Sequence, residues 1–246
     1  ATALAIFALP PISSIARQLG AGHRLRYNLD FITSEMWPGQ QLLGYEVAAV
    51  AIFLVPLLLL CVELARDERS LRLTALAACG SLLVMWLQPW QGAELLLVIC
   101  GVEGWRWLRS GERLWLPLSM VVAFGSLPAI YYAVLERTDP FWKLYGEMNR
   151  AGADPIWDWS PLAILLCLLP LGLPALFALR RRAESWQETA LRIWPIAVAV
   201  VYLQPFGTFP FHAVQGLSVP LAVLAVQGTT VARPSWIPAP RGWWVV

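Results

Sequence analysis

The sequence predicts an all-α membrane protein, a single transmembrane domain over residues 1–246 with about seven or eight membrane-embedded helices. Hydrophobic residues make up 58% of the chain and charged residues only 14%, whereas about a quarter of the residues in a soluble domain are charged. So few charges cannot cover a water-facing surface, and we expect the lipid bilayer to be the main partner. The net charge of +2 gives no indication of a nucleic-acid partner.

Eight apolar windows account for the predicted helices. They are 1–16, 42–65, 73–87, 93–108, 116–135, 161–179, 193–203 and 213–231. A span needs about 20 residues, with a range of about 17–25, and the second, fifth, sixth and eighth windows meet it comfortably. Windows 73–87 and 93–108 are short, and the few residues between them predict a tight helical hairpin. Window 193–203 is too short to span alone unless the helix continues into 204–211, which predicts a broken or re-entrant element.

The basic residues predict an orientation. Of the 18 Lys and Arg residues, 12 lie in alternate connections between the windows or after the last window. The positive-inside rule places these connections on the cytoplasmic side of the membrane. We expect this membrane to be a bacterial inner or plasma membrane. Loops 17–41, 88–92, 136–160 and 204–212 then face outward. The chain begins inside an apolar stretch without a Met, and we expect it to be the later part of a longer protein.

Two outward loops carry unusual side chains. Loop 136–160 is rich in aromatic residues, which predicts an interfacial helix, and an ordinary aromatic belt is its simplest interpretation. The loop before residue 41 contains Arg24 and Arg26. Arginines on the outward side are contrary to the positive-inside trend. They indicate a binding site for an anion, such as a lipid phosphate. Asp30 and Glu35 are candidates for a base or a metal ligand, although loop acids are usually only solvated.

Two similar outward turns are the most distinctive motifs. One reads Gln-Pro-Trp-Gln-Gly-Ala-Glu over 88–94, and the other extends from Gln-Pro at 204–205 to His-Ala-Val-Gln-Gly at 212–216. In each, Pro ends the incoming helix and Gly permits a close turn, so polar side chains stand at helix N-termini, where anions bind. Alternatively, the amides only cap helices or join neighbours by hydrogen bonds. The candidate binding residues are Gln88, Trp90, Gln91, Glu94, His212 and Gln215.

The acidic residues of the helices divide by position. Glu94 and Glu103 lie nine residues apart on one apolar helix, so they point to different faces of it. Glu103 is close to the arginines at 106–113 and is expected to pair there, so Glu94, near the outer face, is the better functional carboxylate. Glu63 is expected to pair or to reach the surface. The four cysteines and two histidines have no ligand spacing, and neither a metal site nor a disulfide is predicted.

The order of these features resembles the C-terminal half of bacterial polytopic membrane proteins of the GT-C glycosyltransferase type. The resemblance is carried by Gln-Pro-Trp-Gln-Gly at 88–92, by Asp-Pro-Phe-Trp at 139–142 with Asn149, and by residues 209–216. It implies an enzyme that takes a sugar from a polyprenyl-phosphate donor on the outer face. The family's catalytic Asp or Glu belongs to the first outward loop, which we expect to precede this chain, so the catalytic residues and any cofactor stay unknown.

The leading hypothesis is therefore a membrane glycosyltransferase that uses a lipid-linked sugar. Arg24 and Arg26 would neutralise the donor phosphate, while Gln91, Glu94 and His212, with Gln215, would line the sugar cavity. One alternative is a transporter or flippase in which 193–211 forms a discontinuous helix around a central site. Another is a non-catalytic membrane assembly subunit, whose motifs only fix helix packing.

Overall fold

The computed structural model describes residues 45–111, 113–152, 161–204 and 210–232, and within these ranges it contains helices and no strands. The all-α prediction is confirmed. The elements are α1 (Glu46–Asp67), α2 (Leu71–Leu87), α3 (Pro89–Ser110), α4 (Leu118–Thr138), α5 (Pro140–Gly152), α6 (Pro161–Ala178), α7 (Trp186–Leu203), a 3-10 helix (Pro210–Val214) and α8 (Ser218–Ala232). The first window, 1–16, lies outside the described residues.

The α1–α2 connection is short and closed by a side-chain cap. The amide of Glu68 donates to the carbonyl of Leu64 at 2.9 Å, and Arg69 adopts a left-handed backbone with φ 50°, so the chain leaves the helical path. Ser70 then caps α2, its hydroxyl accepting a hydrogen bond from the amide of Leu73 at 3.3 Å. Such a cap satisfies one of the free amides at a helix start, which fixes where α2 begins.

The predicted hairpin between the third and fourth windows is confirmed, and it is tighter than expected. Only Gln88 separates α2 from α3, because Pro89 occupies the first helical position, which proline tolerates well. Gly92 allows the two helices to approach, since a Cβ added there would lie 2.5 Å from the Cα of Met85. Residues 89–92 are therefore the first turn of α3 rather than a loop.

Residues 193–203 are not a short or re-entrant element, contrary to the prediction. They form the second half of α7, an 18-residue helix that begins at Trp186 and is capped by Ser185. Its first two turns contain the polar residues Gln187, Glu188 and Arg192. The apolar run in the sequence therefore includes only the later part of the helix. The helix therefore extends in the N-terminal direction and ends at Leu203, while the 3-10 helix precedes α8.

The main core lies between α1, α2, α3 and α7. Leu95 and Val98 of α3 are fully buried against Val55 of α1 and Trp194 of α7. A second, smaller core joins α6 to α8. There Gly228 of α8 lies so close to α6 that an added Cβ would overlap the backbone of α6 at residue 174. Small residues permit this kind of close backbone packing between apolar helices.

Two helices within the described ranges, α1 and α4, are long and apolar enough to cross a membrane. Their mean hydropathies are 2.8 and 1.8. Helix α4 buries little of itself, and it exposes Leu127 and Ile130 to about half their surface. Apolar side chains that no other described helix covers are typical of a lipid-facing surface. These helices indicate membrane association.

The two ends of the bundle differ in chemistry. At one end, the C-termini of α1 and α3 meet through ion pairs between Arg66 and Glu103 and between Arg106 and Glu63. We call this the ionic end. At the other end, the turn at Gln88 contacts the residues that follow the 3-10 helix, and we call this the amide end. The alternation of basic and non-basic connections in the sequence agrees with this separation.

Candidate functional site

The two sequence motifs meet at the amide end as one hydrogen-bonded cluster. The Nε2 of Gln88 donates to the Oε1 of Gln215 at 2.9 Å. The Nε2 of Gln91 donates to two backbone carbonyls, that of His212 at 2.9 Å and that of Gln215 at 3.3 Å. The Nε2 of Gln215 lies 2.7 Å from the Nδ1 of His212. We call Gln88, Gln91, His212 and Gln215 the amide cluster; it joins segments more than 120 residues apart.

Local structure places each amide where it can reach the other motif. Gln88 is both the last cap of α2 and the first cap of α3, and Gln91 follows in the first turn of α3. Gln215 lies just after the 3-10 helix, beside Gly216, whose φ of 78° is left-handed. A Cβ at Gly216 would lie 2.9 Å from Ile52 of α1. Glycine is therefore required at this position for two reasons, the left-handed backbone angle and the close packing against α1.

Glu94 lies one turn further along α3 and is fully buried. Its Oε2 accepts a hydrogen bond from the indole N–H of Trp194 at 3.3 Å. Its Oε1, like the Oε1 of Gln91, has no hydrogen-bond partner among the described residues. A buried polar atom without a partner costs about 1–3 kcal/mol, so these two oxygens stand out in an otherwise satisfied cluster.

Three rings form the less buried side of the cluster. The imidazole of His212 lies 4.8 Å from the ring of Trp90 and 6.0 Å from that of Tyr45, measured between ring centroids. Burial lowers the pKa of His212 to about 4, because a charged imidazolium loses its hydration there. The ring is therefore neutral near pH 7, and it offers one N–H donor and one acceptor.

An aromatic group extends from the amide end over α2, α4 and α5. Trp86 stacks on Tyr131 with 5.5 Å between ring centroids, and Tyr132 lies 6.3 Å from Trp142 of α5. Asp139 caps α5, since its carboxylate accepts hydrogen bonds from the amides of residues 141 and 142. The helix predicted in loop 136–160 is present as α5, while Trp157 and Trp159 lie outside the described residues.

At the ionic end, the predicted pairing of Glu103 is confirmed. Its carboxylate contacts Arg66 and lies 3.7 Å from Arg106. It also accepts a hydrogen bond from the backbone amide of Trp115 at 3.1 Å. Glu63, which was expected either to pair or to reach the surface, contacts Arg106. Two carboxylates and two guanidiniums therefore form a neutral, mostly buried quartet that holds α1 to α3, and it is structural in character.

Six of the eight predicted site residues lie together, and sequence reasoning missed two neighbours. Trp90 and Glu94 adjoin the amide cluster, whereas Arg24 and Arg26 lie outside the described residues. Tyr45 and Trp194 were not predicted, and only their contacts in space single them out, because each stands in an apolar stretch without a motif. No group of three or more His, Cys, Asp or Glu residues is placed to hold a metal ion in the described ranges.

Together, these features define a helical protein with two membrane-type helices and a buried amide–imidazole cluster at one end. Comparison with family models, with curated proteins and with solved structures returns no match to this chain.

Proposed function

We propose that this chain is the membrane-embedded part of a glycosyltransferase that uses a polyprenyl-phosphate-linked sugar at the outer face of a bacterial membrane. In this proposal seven or eight helices are embedded in the bilayer, the ionic end faces the cytoplasm and the amide end faces outward. The orientation is supported by the arginines that gather at the ionic end, and the aromatic group at the amide end is consistent with a membrane–water interface there.

The observation that carries the proposal is the meeting of the two motifs around a partly exposed ring surface. Gln88, Gln91 and Gln215 are each only 1% exposed, so their role is to hold the segment rather than to contact a ligand. Trp90 and His212 are less buried and form the surface that the amides support. Aromatic faces and imidazole N–H groups are suited to sugar rings, whose C–H and hydroxyl groups they contact.

The proposed reaction divides between this chain and the family's catalytic loop. An acceptor hydroxyl oxygen attacks the anomeric carbon, the bond from that carbon to the phosphate oxygen breaks, and polyprenyl phosphate leaves with the electron pair. The hydroxyl proton passes to a carboxylate that the resemblance places in the first outward loop. Within this chain, Arg24 and Arg26 would neutralise the phosphate, and Trp90 with His212 would contact the sugar.

The test is sugar transfer in membranes that contain the whole protein. We expect Trp90→Ala and His212→Ala to reduce transfer from a radiolabelled polyprenyl-phosphate sugar by at least about tenfold, the loss of one good contact. Gln187→Ala is the control, because Gln187 is exposed and lies in the first turn of α7, away from the amide end. Unchanged transfer in both ring variants, with normal amounts of protein in the membrane, would refute the assignment.

A transporter is the second candidate, and the buried carboxylate of Glu94 favours it. An acidic side chain without an ionic partner inside a helical bundle is a common proton-carrying group in transporters. Flux through proteoliposomes that is lost in Glu94→Gln, in the absence of sugar transfer, would establish this function instead. If the motif variants affect neither activity, the cluster serves only assembly.

A further inference from the structure

The ionic end contains an open groove of about 450 Å³ that the amide cluster and the proposed reaction do not use. Its walls come from the end of α1, the start of α2 and the segment before α4. Three guanidinium groups line it, those of Arg66, Arg69 and Arg113, and none of the described residues that line it is acidic. The groove is therefore a candidate for an anionic ligand.

The charges that face the groove do not cancel. Arg66 is engaged by Glu103 in the quartet described above. Arg69 and Arg113 are exposed, and neither forms an ion pair with any residue in the described ranges. Two positive charges therefore remain available. The acidic residues next to Arg69 are Asp67, which ends α1, and Glu68, which follows it; neither lines the groove.

The rim of the groove is apolar and exposed. Leu71 is 75% exposed, Leu114 58% and Leu116 84%, and all three line the groove beside the guanidiniums. Three exposed leucines next to free arginines match the boundary between headgroups and acyl chains, where apolar side chains enter the hydrocarbon and arginines stay with the phosphates. A free anion such as inorganic phosphate has no apolar part that could contact these leucines.

We propose that this groove binds the phosphate headgroup of an anionic phospholipid, with Arg69 and Arg113 on the phosphate and the three leucines against the acyl chains. Basic pockets between helices on the cytoplasmic side of membrane proteins bind anionic headgroups in this way. The inference requires only that the ionic end lies at a membrane surface, so it is independent of sugar transfer and of the amide end.

The experiment measures lipid retention by native mass spectrometry of the purified full chain in neutral detergent, with phosphatidylglycerol and phosphatidylcholine added separately. The double variant Arg69→Gln with Arg113→Gln should bind phosphatidylglycerol roughly 30-fold more weakly, since each arginine near a headgroup contributes about fivefold. Arg72→Gln is the matched control for the single variants Arg69→Gln and Arg113→Gln, because it likewise removes one positive charge, from an exposed site on α2 outside the groove. It should leave binding unchanged.

Three results would overturn the inference. One is equal retention of phosphatidylcholine and phosphatidylglycerol by the unmodified chain. Another is a thermal stabilisation by inorganic phosphate as large as that by phosphatidylglycerol, which would identify free phosphate as the ligand. The third is a loss of binding in Arg72→Gln equal to that in Arg69→Gln or in Arg113→Gln alone, which would mean diffuse attraction rather than a site. A melting temperature of the lipid-free double variant equal to that of the unmodified chain shows that it folds.

Discussion

Replacing Gln91 by Met tests whether the amide cluster holds the two motifs together. Met matches Gln in length and fills the same space, but it has no N–H donor. The side-chain amide of Gln91 donates to two backbone carbonyls, at 2.9 and 3.3 Å, and the residue is only 1% exposed. Water cannot readily replace the lost donor. The substitution therefore removes two hydrogen bonds, while the carbonyl of His212 keeps the one from the backbone amide of Gln215 at 3.2 Å.

The expected loss of stability lies between two limits. Hydrogen bonds between membrane helices average about 0.6 kcal/mol each, which sets a lower limit of about 1 kcal/mol for two. A buried acceptor left unsatisfied costs about 1–3 kcal/mol. At most one of the two carbonyls is left so, and with about 0.6 kcal/mol for the other bond the upper limit is about 4 kcal/mol. We expect Gln91→Met to lower the free energy of unfolding by about 2–3 kcal/mol.

The assay is reversible unfolding by sodium dodecyl sulfate in mixed micelles, followed by tryptophan fluorescence and circular dichroism. Gln187→Met is the matched control, because Gln187 is exposed on α7, and it should change the free energy by less than about 0.5 kcal/mol. If Gln91→Met is no more destabilising than this control, the cluster does not hold the motifs, and its role as the support of the ring surface is wrong.

Three further outcomes are expected. Gly228→Ala should destabilise the chain by about 1–3 kcal/mol, because the new methyl group meets backbone atoms of α6 that cannot rotate away. Its control is Gly104→Ala, which has open space around the added Cβ. This control should be neutral or slightly stabilising in the same assay. Glu103→Gln should cost about 3 kcal/mol, because it leaves two guanidiniums facing one remaining carboxylate, and a loss below 1 kcal/mol would contradict the quartet. Because the folded-state pKa of His212 is about 4 and its ordinary value is 6.5, the unfolded chain binds more protons between these values. Stability should therefore be unaffected by this group above pH 6.5 and fall as the pH decreases towards 4; His212→Gln should lose that part of the pH dependence.

Most of the helices were predictable, because an apolar run is a local property of the sequence. The windows 42–65, 73–87, 93–108 and 116–135 each correspond to one helix, with ends shifted by a few residues. The start of α7 was not predictable in this way. Its first two turns carry Gln187, Glu188 and Arg192, and their helical conformation follows from the cap at Ser185 and from packing on α3 rather than from hydropathy.

The pairing of acidic residues was predictable only in part. The proximity of Glu103 to Arg106 on the same helix follows from sequence spacing, and the structure has this contact. The contact of Glu103 with Arg66 joins two different helices, and no spacing rule relates them. The same limit applies to Trp194, which donates to Glu94 from a helix about 100 residues further along the chain.

The sequence by itself determined that the chain is helical and apolar, that 12 of its 18 basic residues belong to alternate connections, and that the motifs at 88–94 and 204–216 both combine amides with Gly and Pro. These properties depend on residue type and local spacing. Only the tertiary structure decided that the two motifs are in contact, and that the side chains of Gln88 and Gln91 form hydrogen bonds with the segment at 212–215. It also decided that Arg69 and Arg113 line one groove. Contacts between distant segments depend on how the helices pack, and packing is set by many weak contacts across the whole bundle.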